Sequence, residues 1–155
     1  MIELIERFEA FTTSITKTYK CIQKIKLVEA ERMGLKASHV MYLHYLGKNP
    51  EGLTSIELSK CCVEDKAAVS RAILDLTKKG LIKISEDDFG RKYRTKMILT
   101  EDGKLINEKI NEVIATAVNK ASKDLDECER EGFYRMFNCI TDNLENICSS
   151  YIEEK

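Results

Sequence analysis

The stretch Leu53-Thr54-Ser55-Ile56-Glu57-Leu58, followed by Asp65-Lys66-Ala67-Ala68-Val69-Ser70-Arg71 and then Lys79-Gly80-Leu81-Ile82, decides the fold. Thr54 and Glu57 stand three apart ahead of an apolar run, the spacing of a capping box. The threonine hydroxyl accepts from the amide three residues on, and the glutamate reaches back to the cap amide. Leu53 suits the hydrophobic staple, and the helix is expected to end near Cys62. Asp65 is a second N-cap residue. After it, Val69, Ala72, Ile73 and Leu76 recur at helical spacing as a buried stripe, leaving Lys66, Ala67, Ser70 and Arg71 on the opposite face. Lys78 and Lys79 favour the C-terminal dipole, and Gly80 stops the helix.

The hydrophobic period then shortens. Leu81, Ile82 and Ile84 predict a brief strand, Glu86 to Arg91 a loop, and Tyr93 to Leu99 a returning strand with Met97 and Leu99 on one face. The order is helix, turn, helix and one hairpin with a basic tip.

Longer helices flank this unit. Leu4, Phe8, Phe11, Ile15, Tyr19, Ile22 and Ile25 form a stripe that predicts an amphipathic helix to about Ala30. That stripe fits core packing or the surface of a partner helix. A short helix is expected from Ser38 to Leu46, then a turn at Gly47 to Gly52. Thr100 caps a helix carrying Leu105, Ile106, Ile110, Val113, Ile114 and Ala117. A last helix begins near Leu125, with Phe133, Met136, Phe137, Ile140, Leu144, Ile147 and Tyr151 at spacings of three and four. The fold class is mainly α, an α+β winged helix.

Composition narrows the function classes. One proline and seven glycines in 155 residues agree with long helices. No apolar run approaches the roughly 20 residues of a membrane span, and the first residues lack a signal-peptide pattern, so the expected location is the cytoplasm and no membrane partner is expected. The six cysteines then read as free thiols, and without a CxxC pair no structural zinc, other metal or cofactor is expected. There is no Gly-rich phosphate loop and no HExxH, and His39 and His44 are five apart, poor spacing for a shared metal. An enzyme is not expected. Charge is segregated: ten basic and six acidic residues between Lys60 and Lys96 give +4, whereas Leu105 to Lys155 carries −5. A basic middle beside an acidic tail permits a module that faces DNA.

The helix pair fits double-stranded DNA. A recognition helix enters the major groove by its N-terminal end, which must be slim and polar outside. Ala67 and Ala68 keep that end slim, while Lys66, Ser70 and Arg71 can reach base edges or phosphates. Arg91, Lys92, Tyr93 and Arg94 at the hairpin tip suit backbone or minor-groove contact. A winged helix that binds protein instead of DNA is the rival reading.

Together with the ending Leu99-Thr100-Glu101-Asp102-Gly103, these segments resemble the MarR family of bacterial regulators. The resemblance implies a single domain over residues 1–155. Dimerisation helices would occupy residues 1–34 and 105–155, and the winged helix-turn-helix residues 35–104, with the helix-turn-helix at 54–79 and the wing at 81–99. It implies a homodimer on a pseudo-palindromic operator, with Thr54 and Ser55 touching phosphate. Lys66, Ala67, Ala68, Ser70 and Arg71 would face the groove, and Arg91 or Arg94 would enter the minor groove. It also implies a repressor released by a small, often aromatic ligand. Tyr19, Met33, His39, Tyr42, His44 and Tyr45 lie near the junction in sequence and suit such a pocket, though core packing accounts for them as well. Some relatives sense oxidants, for which Cys21, Cys61 and Cys62 are the candidates, against idle thiols. The chain departs from the family pattern at Val63, where glycine is common, at Glu64, and at the wing tip.

Overall fold

The computed structural model describes residues 1–85 and 95–153. The chain forms α1 (Ile2–Arg32), α2 (His39–Lys48), β1 (Leu53–Thr54), α3 (Ser55–Cys62), α4 (Lys66–Lys78), β2 (Ile82–Ile84), β3 (Lys96–Leu99), α5 (Glu101–Ala121) and α6 (Glu127–Glu153). It divides into two compact units, Met1–Val113 and Ile114–Lys155.

The first unit holds the core. Tyr42, Leu43 and Leu46 of α2 are buried, as are Leu58 of α3, Val69 and Leu76 of α4, and Ile110 of α5. The caps form as the local sequence dictates. The Thr54 hydroxyl accepts from the Glu57 amide at 3.3 Å, and the Glu57 carboxylate accepts from the Thr54 amide at 2.7 Å. These bonds from the Thr54 amide and hydroxyl hold the Glu57 carboxyl below its ordinary pKa. Asp65 accepts from the Ala68 amide at 2.8 Å.

One element differs from the sequence expectation. In place of a lone hairpin there is a three-stranded antiparallel sheet in the order β1-β3-β2. Leu53 pairs with Met97 and Thr54 with Lys96, while Ile82 pairs with Leu99. A strand of two residues has no periodicity to read, so only its role as a helix entry was legible. Met97 and Leu99 are buried on one face, as their alternation requires.

The turn between α3 and α4 passes through Val63 at φ 54, in the left-handed region, with its side chain 90% exposed. The Glu64 amide donates to the Ser59 carbonyl at 3.1 Å, which closes the motif that glycine usually completes. A β-branched residue is strained there by about 1–2 kcal/mol. Glycine relieves that strain but adds about 0.5–1 kcal/mol of unfolded-state entropy. Val63→Gly is therefore expected to raise stability by about 0.5–1 kcal/mol, read as a higher urea midpoint. A lower midpoint would contradict the strain assignment.

The start of α5 locks α4 to the sheet. Gly80, at φ 70, ends α4. The Thr100 hydroxyl donates to the Gly80 carbonyl at 2.6 Å and accepts from the Gly103 amide at 3.1 Å. The Thr100 amide donates to the Leu81 carbonyl at 3.0 Å. Gly103 is buried against that same carbonyl, which a Cβ would approach to 2.0 Å. The Leu-Thr-x-x-Gly spelling is thus the seam between α4, the sheet and α5.

In the second unit α6 is capped reciprocally by Asp126 and Glu129, at 2.8 and 2.9 Å. None of this unit's described residues is fully buried. Phe133, Met136, Ile140, Leu144, Ile147 and Tyr151 are exposed along α6.

Candidate nucleic-acid interface

The cap at Asp65 and the buried stripe Val69, Ala72 and Leu76 fix which side of α4 faces outward. Lys66, Ala67, Ser70 and Arg71 are exposed, and Ala68 is half-buried. Ser55, the first residue of α3, is exposed. Thr54 commits its amide and hydroxyl protons to Glu57, the hydroxyl at 2.8 Å, so its role in the geometry is to position α3. Arg91, Lys92, Tyr93 and Arg94 lie outside the described residues. Next to the paired strands β2 and β3, the Ser85 amide donates to the Lys96 carbonyl at 2.9 Å.

Two contacts tie α4 to the segment that follows α1. Lys79 Nζ donates to the Gly34 carbonyl at 2.9 Å, and Lys36 pairs with Asp75. The Lys36 ammonium holds the Asp75 carboxyl below the usual range. Neither contact was read from the sequence. Asp75 looked like one more solvated acid, because its partner is 39 positions away.

A cavity of about 370 Å³ lies between α2 and α4, lined among others by Lys36, His39, Tyr42, Ala68, Arg71 and Asp75. Of the expected pocket residues, it gathers His39 and Tyr42. Tyr19 stands exposed on α1, and Met33 is half-buried at the end of that helix. His44 Nδ1 lies 3.0 Å from Asn111 Oδ1, and its ring meets Tyr45 edge-on at 5.5 Å. Burial pushes the Tyr42 phenol up to about 12.

His39 is 1% exposed, and burial lowers its pKa from the ordinary 6.5, against the opposing pull of Asp75. The unfolded chain therefore binds a proton at His39 at a higher pH than the folded chain does. Stability tied to the neutral ring is present above about 6.5 and is lost as pH falls from there towards the folded-state pKa. Thermal midpoints should drop over that range, and His39→Gln should flatten the drop. An unaltered profile in that variant would assign the dependence elsewhere.

Cys21 is exposed, while Cys61 and Cys62 are half-buried. Burial, then the neighbouring Cys61 and Glu64, push the Cys62 thiol up to about 12, away from the thiolate that oxidant chemistry needs. Among the described residues there is no group of three or more His, Cys, Asp or Glu placed to hold a metal, and no helix long and apolar enough to cross a membrane.

A MarR family model matches residues 33–92. No curated protein sequence matches significantly. Among solved structures, a MarR family transcriptional regulator from Listeria monocytogenes, complexed with a 26mer DNA, is 21% identical. It aligns over 87% of this chain and 89% of its own at a TM-score of 0.79. A MarR transcriptional regulator from Methanosarcina mazei is 20% identical over 90% and 92%, at 0.75. MepR, a regulator of a Staphylococcus aureus multidrug efflux pump, is 18% identical over 86% and 98%, at 0.63. Identities this low speak for the fold. Residues 33–92, which carry the helix-turn-helix, are thus similar to the MarR family model, and the chain shares its winged-helix fold along most of its length with solved MarR family regulators.

Proposed function

We propose that this chain is a cytoplasmic transcriptional repressor that binds double-stranded DNA as a homodimer and releases it when a small molecule binds. The observation that carries the DNA reading is the outward face of α4. Lys66, Ser70 and Arg71 are exposed beside the small Ala67, at the N-terminal end of a helix whose opposite side is buried. A helix built this way presents cations and hydrogen-bond donors at the depth a major groove requires. Ser55 adds a hydroxyl for a phosphate, and Arg91 to Arg94 supply the wing.

The dimer reading rests on apolar surface. Leu4, Phe8 and Ile22 on α1, with Phe133, Ile140 and Ile147 on α6, are all more than 40% exposed in the single chain. Stripes this long are rarely left to water. One recognition helix also buries too little for specific affinity, whereas two related by a twofold axis read half-sites about 34 Å apart.

Selection of genomic fragments by the purified protein tests the reading. The expected result is an inverted repeat whose half-sites are about one helical turn apart. Recovery of unrelated fragments would favour a protein-binding winged helix. Alanine at both Arg91 and Arg94 is expected to weaken binding to many duplexes alike, since wing contacts to the backbone carry little sequence information. Unchanged affinity would remove the wing from the interface.

A further inference from the structure

The buried stripe of α4 runs through Val69, Ala72 and Leu76. With a turn every 3.6 residues or so, Ala67, Arg71, Leu74 and Lys78 fall on the far side of the helix, and all four are exposed. Three of them suit a surface that meets water or DNA. Leu74 does not. It is a large apolar side chain, 54% exposed, where amphipathic patterning calls for a polar one. One edge of it meets the rim of the cavity between α2 and α4, and the rest stands in solvent. A single exposed leucine means little on most surfaces. Here its place gives it meaning. Leu74 follows Ser70 by four residues and Arg71 by three, so it adjoins both on the helix surface. A helix lying in a major groove can reach base edges from positions i, i+3, i+4 and i+7, the pattern used by homeodomains. Ala67, Ser70, Arg71 and Leu74 have that spacing.

The floor of a major groove presents donors, acceptors and one apolar group, the C5-methyl of thymine. One apolar side chain set among a hydroxyl and two cations, Ser70, Arg71 and Lys78, matches that floor. An apolar protein partner would call for a patch with few charges at its centre. We infer that Leu74 is a specificity-determining residue that packs on a thymine methyl in each half-site. The inference rests on the reading of α4 as the helix that contacts DNA. Leu74 lies about 4.5 Å beyond Arg71 along the helix axis, and successive base pairs are about 3.4 Å apart. The thymine therefore stands one or two base pairs from the base that Arg71 contacts. Cytosine at that position lacks the methyl, and it leaves Leu74 facing water.

The test uses the full-length protein and the duplex selected from genomic fragments. Each thymine of the half-site is replaced in turn by deoxyuridine, in both half-sites together. Uracil pairs with adenine as thymine does and lacks only the methyl, so the replacement isolates one group. At one thymine the replacement is expected to weaken wild-type binding about fourfold per half-site, the worth of one buried methyl. The same replacement should weaken Leu74→Ala less than twofold, because the partner of the methyl is already gone. At every other thymine the two proteins should respond alike. Leu74→Ala truncates an exposed side chain and keeps a good helix former, so its thermal midpoint should match wild type. A half-site without thymine, wild-type binding indifferent to every deoxyuridine, or equal losses for wild type and Leu74→Ala at all positions would each overturn the role of Leu74. In those three outcomes selective DNA binding persists and the reading of α4 stands. Failure of the wild type to bind any duplex selectively would overturn that reading, and Leu74 with it.

Discussion

Gly103→Ala is expected to cost about 3 kcal/mol of stability, the upper end of what added core volume usually costs. The new Cβ would stand 2.0 Å from the Leu81 carbonyl oxygen. The obstacle is backbone, not the far end of a flexible side chain, so α5 must move away from the sheet. Moving it breaks the Thr100 bonds to the Gly80 and Leu81 carbonyls, at 2.6 and 3.0 Å. Those bonds join the end of α4 to the residue that leads into β2. The variant should therefore lose DNA binding along with stability. A urea unfolding series gives the first effect as a lower midpoint with an unchanged slope. A midpoint within about 0.5 kcal/mol of wild type would mean that the seam is looser than the geometry describes.

Arg71→Ala is expected to weaken binding to the cognate duplex by about 10- to 100-fold, the value of one bidentate contact to a guanine. Arg71 is exposed, on the α4 face opposite Val69, Ala72 and Leu76, so its truncation leaves the core intact. Thermal stability and oligomeric state should stay at wild-type values. The loss should be larger on the selected duplex than on a scrambled one, because a base contact carries sequence information and a phosphate contact does not. An equal loss on both would make Arg71 a phosphate contact.

These two residues show what was legible in the sequence. The capping box at Thr54, the cap at Asp65, the stop at Gly80 and the two faces of α4 depend on neighbours within four positions, and each formed where its pattern placed it. Arg71 was read the same way, from its place on a helical face, and it is exposed there. The importance of Gly103 could be read only as a resemblance, because the carbonyl it rests on belongs to Leu81, more than twenty positions earlier. The β1 strand was missed because two residues carry no period. Of the cavity's lining only His39 and Tyr42 were read, for a related reason: Lys36 and His39 meet Asp75 only once α2 and α4 pack. Glu64 and Asp75 both looked like surface acids, yet both line the cavity and Asp75 also pairs with Lys36. The exposed stripes of α1 and α6 were legible as stripes, but periodicity does not say what covers them.

The central claim is that the outward face of α4 reads DNA. It is tested most directly by fluorescence anisotropy with a labelled duplex carrying the selected repeat, titrated at several salt concentrations with wild type and Arg71→Ala. The prediction is a steep loss of wild-type affinity as salt rises, with log K falling by about 0.9 per phosphate neutralised for each unit of log salt. Arg71→Ala should bind more weakly at every salt concentration, and its preference for the selected duplex should be smaller. A flat salt dependence, or wild type and Arg71→Ala binding selected and scrambled duplexes alike, would contradict the claim.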